Sequence, residues 1–197
     1  MIHPCTKLQY INDEMGYGVF ASVLIPKGTI VYVKDPLEIE IDEDTFNGYP
    51  EVLQNHIEKY SYIDERGIRI ISWDMAKYVN HCCDFNTIST GYGFEIAVRD
   101  ILPGEEITDE YGLFNMGSEM VVGCNKPNCR GRVSAVDADL YWEKWDNQIK
   151  DALIYFNKVD QPLLPLVEED IQKNLFGYLN SVQPYQSVHS LKRRMAM

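Results

Sequence analysis

The sequence predicts a mainly β protein with helices, of the α+β class, and three observations predict it. In the first two-thirds, short runs rich in β-branched residues are bounded by glycine and proline turns. In the final third, apolar residues recur at helical spacing over two long stretches. Hydrophobic residues make up 45% of the 197, with only nine prolines, a composition that folds into one domain, with or without an appendage, around a sizeable core.

The elements follow in order. Met15-Gly16-Tyr17-Gly18-Val19-Phe20-Ala21 sets two glycines one residue apart at the entry to an apolar strand, which by itself reads as a hairpin turn. Ile25-Pro26-Lys27-Gly28-Thr29 is a tight turn leading into the strand Ile30-Val31-Tyr32-Val33. Between Pro50 and Tyr60, Val52, Leu53, Ile57 and Tyr60 repeat as on a helix, and His56 on that face is a packing or surface histidine. Ile68–Ile71 is a short strand and Asp74–Tyr78 a helical turn, while Thr87–Ser89 and Phe94–Val98 pair around Gly91 and Gly93. Ile101-Leu102-Pro103-Gly104 turns the chain toward Tyr111. Trp142, Trp145, Ile149, Ala152, Leu153 and Phe156 make one helical stripe; Leu164, Val167, Ile171, Leu175, Tyr178 and Val182 make another, ended by Pro184. The two helices are expected to cap the strands.

Charge and cysteine usage narrow the class of function. Thirty acids against 18 bases give a formal charge of −12, which opposes direct nucleic-acid binding and favours basic partners. Glu38, Glu40, Asp42, Glu43 and Asp44 crowd one window, expected to be a solvated loop or, more pointedly, a docking surface for a basic peptide. Lys192-Arg193-Arg194 reads as a solvated charge cluster. No apolar run is of membrane-spanning length and the N-terminus lacks a signal-peptide pattern, so an intracellular protein, cytoplasmic or nuclear, is expected with no membrane partner. Five cysteines, an odd number, argue against a closed disulfide framework and for packing or metal binding.

Two segments carry the chemistry: Asn80-His81-Cys82-Cys83-Asp84-Phe85-Asn86, and Gly104-Glu105-Glu106-Ile107-Thr108 through Tyr111-Gly112. With Gly16–Ala21 and Ile25–Gly28 ahead of them, they resemble, in the right order, the three signatures of the SET-domain lysine methyltransferases. The first matches the NH-x-C-x-x-N motif and the second the closing GEE-(hydrophobic)-T-x-x-YG motif. The resemblance implies a fold of small sheets with a threaded segment, S-adenosylmethionine as methyl donor, and a narrow channel joining the donor pocket to a peptide groove. It implies that Tyr111 is catalytic, orienting the amine and polarising the methyl group. It also implies that Asn80, the His81 backbone and Gly16, Tyr17 and Gly18 hold the donor, with Phe114 and Trp142 as aromatic candidates to cover it. The expected division is a SET domain at 5–112 with a variable insert at about 35–70, a post-SET-like tail at 113–132 and a helical extension at 133–197.

Two departures stand out. Many relatives carry Phe or Tyr two positions before the catalytic tyrosine; here it is Asp109, which would attract an incoming ammonium. The tail Gly123-Cys124-Asn125-Lys126-Pro127-Asn128-Cys129 keeps two of three expected cysteines, with Val122 in place of the first. Cys83, Cys124 and Cys129 then leave a zinc site one ligand short of four, which argues against bound zinc. Cys82 is expected to point away from them as a small buried residue. The expected activity is lysine N-methylation of a basic protein or peptide, histone-like tails included. The alternative is a SET-derived interaction module without turnover, against which the retention of Asn80, His81 and Tyr111 argues.

Overall fold

The computed structural model describes residues 1–193. Strands β1 (Thr6–Asn12) and β2 (Gly16–Ala21) form an antiparallel hairpin. Its turn is held by the Asn12 carboxamide oxygen, which accepts from the backbone N–H of Glu14 and Met15, and Gly16 enters β2 at φ +73°. After β3 (Ile30–Val33) comes β4 (Ile39–Ile41), then α1 (Glu43–Asn47), α2 (Glu51–Tyr60), β5 (Ser61–Ile63) and β6 (Arg69–Ile71). With β4, the last two strands build a three-stranded sheet in the order β4-β6-β5, so the expected insert carries a sheet of its own beside its helices.

The acidic window is ordered on β4 and α1 instead of forming a loop, and four of its five acids remain exposed. Glu38 is buried, Glu40 lies on β4 between Lys34 and Arg66, Asp42 caps α1 through the Thr45 N–H, and Glu43 pairs with Arg193.

A short 3₁₀ turn at Met75–Tyr78 leads into β7 (Asn80–His81). Then β8 (Thr87–Ser89) and β9 (Phe94–Ala97) complete a second three-stranded sheet in the order β3-β9-β8. The two-residue strand β10 (Thr108–Asp109) pairs in parallel with β7, Thr108 opposite Asn80 and Asp109 opposite His81. Asn86 locks this crossing: its amide donates to the Glu106 carbonyl and its side-chain oxygen accepts from the Thr108 N–H.

The tail forms a small hairpin of β11 (Met120–Val121) and β12 (Arg132–Val133), followed by α3 (Asp137–Leu153) and α4 (Glu169–Leu179). Trp145, Ile149, Ala152 and Leu153 of α3 share one apolar cluster with Ile30, Phe85, Ile88, Phe94 and Ile96 of the sheet region. The helices therefore complete the core instead of sitting beside it. A second cluster joins Val19, Ala21, Ile25, Val31, Ala97, Ile101 and Ile107 under the hairpin. Of the basic terminal cluster, Lys192 and Arg193 pair with Asp139 and Glu43, and Arg194 lies outside the described residues. No helix among the described residues is long and apolar enough to cross a membrane.

Candidate active site

The parallel β7–β10 pair brings the two sequence motifs together. Asn80 donates through its side-chain nitrogen to the Tyr17 carbonyl at 3.2 Å and to the Glu106 carboxylate at 2.8 Å, tying the glycine-containing strand to the second motif. The cluster is tight against Gly18: a Cβ there would lie 2.6 Å from Glu106 Oε1 and 2.7 Å from Ile11 Cδ1. Both atoms are ends of flexible side chains that can turn aside, so Gly18→Ala should cost no more than about 1 kcal/mol, read as a small fall in the urea midpoint at unchanged slope. Tyr17 is 49% exposed and touches Tyr78 edge-on, offering an aromatic surface beside the same cluster.

His81 is buried and kept neutral, its pKa lowered to about 4 by burial and by the nearby Arg130 cation. Its Nδ1 lies 2.9 Å from the Asp109 carbonyl and 3.3 Å from the Tyr111 backbone N–H, and Nε2 faces the Cys83 thiol at 3.4 Å.

Tyr111 opens a short 3₁₀ turn capped by Glu110, whose carboxylate accepts from the Gly112 N–H and from Arg130 of the tail. The Tyr111 hydroxyl donates to the Val79 carbonyl, and burial first, then the neighbouring acids, push its pKa far up, so it remains a neutral donor. The ring packs on His81 and, at 4.9 Å between centroids, on Phe114. Gly112 follows because α3 presses there: a Cβ would meet Asp137 Cβ at 2.9 Å and Trp145 Cη2 at 3.0 Å.

Tyr111 opens on a cavity of about 570 Å³, whose lining includes Tyr32, Tyr62, Val79, Glu95, Asp109 and Phe114. Phe114 thus stands in the wall of this cavity, stacked on Tyr62 and Tyr111, rather than over the Asn80 cluster. Trp142 lies on α3 with its ring against His189 and packs on the helical core; the structure does not group it with Asn80 and Tyr17. Asp109 is where the departure from the expected aromatic residue placed it, in the cavity beside Tyr111, and it is only 1% exposed.

Sequence reasoning missed Glu95, Tyr62 and Tyr32. The signal for Glu95 was present: it interrupts the apolar run Phe94–Val98 on the face opposite Phe94 and Ile96. Its carboxyl is raised from 4.5 to about 7 by burial, and Asp109 is raised well above the usual carboxylate range by burial and by Glu95. A raised acid holds its proton in the folded chain and releases it in the unfolded one. Its stabilising contribution is therefore full below the unfolded value and is lost as pH rises through the folded value. Glu95→Gln should gain stability relative to the parent between about pH 5 and about pH 7.5, by on the order of 2 kcal/mol, measured by urea unfolding at both pH values.

The sulfur atoms of Cys83, Cys124 and Cys129 lie within 4.8 Å of one another. Asn128 and Arg130 fasten the tail over this point, donating to the Cys83 carbonyl and thiol at 3.3 Å each. Cys82 is buried and its sulfur stays outside this group of three, though its thiol interacts with that of Cys124; burial is the main cause of its raised pKa. Among the described residues no fourth ligand atom joins the cluster. Purified protein should therefore carry well under one equivalent of zinc after dialysis, as read by metal analysis.

A match to the SET domain family covers residues 16–112. Over 145 residues the chain is 30% identical to the histone-lysine N-methyltransferase Set2 of Drosophila melanogaster, covering 66% of this chain and 6% of that protein. Over 155 residues it is 28% identical to a histone-lysine N-methyltransferase, H3 lysine-36 specific, of Cryptococcus neoformans var. neoformans serotype D, covering 65% of this chain and 17% of that one. The chain thus spans a small part of the relatives it matches. Among solved structures, KRYPTONITE in complex with mCHG DNA and SAH is similar at 19% identity and a TM-score of 0.45, over 64% of this chain and 28% of that chain. A likeness of that size says nothing of ligand or substrate. The matched span contains both motifs joined by the β7–β10 pair, and the chain belongs to the SET-domain family.

Proposed function

We propose that the chain is an S-adenosylmethionine-dependent protein-lysine N-methyltransferase acting on a basic protein or peptide, with a histone tail as the first candidate. The observation that carries this is the placement of Asn80 and His81 one strand away from Asp109 and Tyr111, with Tyr111 opening on a cavity deep enough for a lysine side chain. The names of the two histone-lysine methyltransferase relatives support the same substrate class. The net charge of −12 supports a basic protein rather than nucleic acid as partner, and an intracellular site of action follows from that substrate. In this reading residues 5–112 form the catalytic domain and 113–132 a tail fastened over it. The helices from 133 onward buttress both.

The residues fit the donor. Both hydrogen bonds of the Asn80 side chain use its amide nitrogen and leave Oδ1 as an acceptor for an amino-acid head. Tyr17 and Tyr78 offer ring faces for a nucleobase. When bound, the donor supplies an electrophilic methyl group. The chain's own task is to present a neutral amine in line with it. A free lysine, with a pKa near ~10.4, is protonated at neutral pH. The rings of Tyr32, Tyr62, Tyr111 and Phe114 strip water from the alkyl stem, which favours the neutral form. The Tyr111 hydroxyl and the Val79 carbonyl that holds it fix the direction of approach.

The test is incubation with methyl-labelled donor and a mixture of histones and other basic proteins, beside Tyr111→Phe. Label on lysine that is lost in the variant supports the proposal. Donor binding with no transfer to any protein would show an interaction module instead.

A further inference from the structure

We propose that Glu95 and Asp109 form a two-carboxyl seat for the terminal ammonium of the target side chain, one that selects amines bearing N–H groups over a quaternary ammonium. The seat deepens the lysine methyltransferase reading and rests on it for the identity of the natural ligand. The register of the central sheet sets Glu95 opposite Tyr32 on one neighbouring strand and Ser89 on the other, while β10 brings in Asp109. The two carboxyls interact directly and both line the cavity onto which Tyr111 opens.

The decisive feature is what Asp109 lacks. Its backbone carbonyl is used by His81 and Cys82, yet no N–H or hydroxyl of the described residues donates to either of its buried carboxylate oxygens, which meet only the Glu95 carboxyl. Buried acceptors are ordinarily satisfied, and one left open at a cavity wall marks a place for a donor from outside the chain. The neighbouring hydroxyls do not supply it. Tyr111 donates to Val79, and the Tyr32 hydroxyl accepts from Ser72 and interacts with Tyr62. A ligand for this position must therefore bring positive charge and N–H donors on a stem slim enough to pass between aromatic rings, which describes an alkylammonium.

Methylation removes those donors one at a time. An unmethylated ammonium satisfies both carboxyls and a monomethylated one still has two N–H groups for them. A trimethylated nitrogen offers none and leaves both acids buried against methyl groups.

In the empty seat the two acids share a proton, because neighbouring buried carboxylates cannot both ionise. The ionisable groups that face them are Tyr32, Tyr62 and Tyr111, together with Glu38 and Glu110. The amino group of Met1 acts on Glu95 as well. The tyrosines stay neutral, and Glu38 and Glu110 reinforce retention of the proton. An arriving ammonium expels that proton to solvent; the seat holds the amine charged, and the neutral form that transfer needs arises when one ammonium proton passes to a seat carboxylate.

The experiment uses the whole chain without donor, and the probes are n-hexylammonium, n-hexyltrimethylammonium and 1-hexanol. Binding is followed by ligand-detected NMR. Proton release is followed by calorimetry near pH 6.5 in two buffers of different ionisation enthalpy. The expected result is hexylammonium binding about tenfold or more tighter than either other probe, with close to one proton released per ligand. Both effects should fall away in Glu95→Gln and Asp109→Asn. Equal binding of hexanol, tighter binding of the quaternary probe, or undiminished selectivity in both folded variants would overturn the seat. If a variant fails to fold, selectivity and proton count in the parent protein decide alone. Because no donor is present, these outcomes are independent of methyl transfer. A seat without transfer would sink the enzymatic reading, and transfer without the selectivity would sink the seat.

Discussion

Tyr111→Phe should lower methyl transfer by on the order of 10²–10³-fold, the usual cost of removing one preorganised hydrogen-bond donor from a reaction centre. The protein should stay folded. The ring keeps its packing on His81 and Phe114, and the loss is a single hydrogen bond to the Val79 carbonyl, about 1 kcal/mol of stability. Donor binding should be nearly unchanged, since Asn80, Gly18 and Tyr17 do not depend on the Tyr111 hydroxyl. Single-turnover label transfer together with donor titration separates the two effects. A variant that binds donor and transfers methyl at the parental rate would remove Tyr111 from the catalytic role.

Trp145→Ala should destabilise the protein by about 3–5 kcal/mol, among the largest effects expected of any single side chain here. Trp145 is 1% exposed and stands where α3 meets the sheet core. The substitution empties that contact and also removes the ring pressing on Gly112, the residue after Tyr111. Urea unfolding should show one transition at a lowered midpoint, because the helices and the sheet share a core. Two separated transitions would mean that α3 and α4 fold as an independent unit.

Much of the fold was legible because its elements have local causes. The strand Ile30–Val33 is β-branched at every position but Tyr32, α2 and α3 carry helical stripes, and turns with proline and glycine separate the short strands. The motifs around Asn80 and Tyr111 were legible for a different reason: backbone crossing and reaction centre demand particular side chains at particular spacings. Charge was a partial guide. Glu40, Asp42, Glu43 and Asp44 are exposed, as their charge suggests, but Glu38 is buried and the segment is ordered. Whether an acid caps a helix or meets Arg66 and Arg193 depends on residues far away in sequence.

By itself the sequence determined the α+β class, the run of strands and helices, the family and the candidate role of Tyr111. The tertiary structure alone decided three things. It merged the terminal helices into the sheet's core, turned Phe114 into the wall of the cavity, and set Glu95 against Asp109. The physical reason is the same in each case. A strand's alternation says only that Glu95 leaves the face of Phe94 and Ile96. What that other face meets is fixed by which strand lies beside it and which loop closes over it. Those are long-range contacts, and no local pattern encodes them.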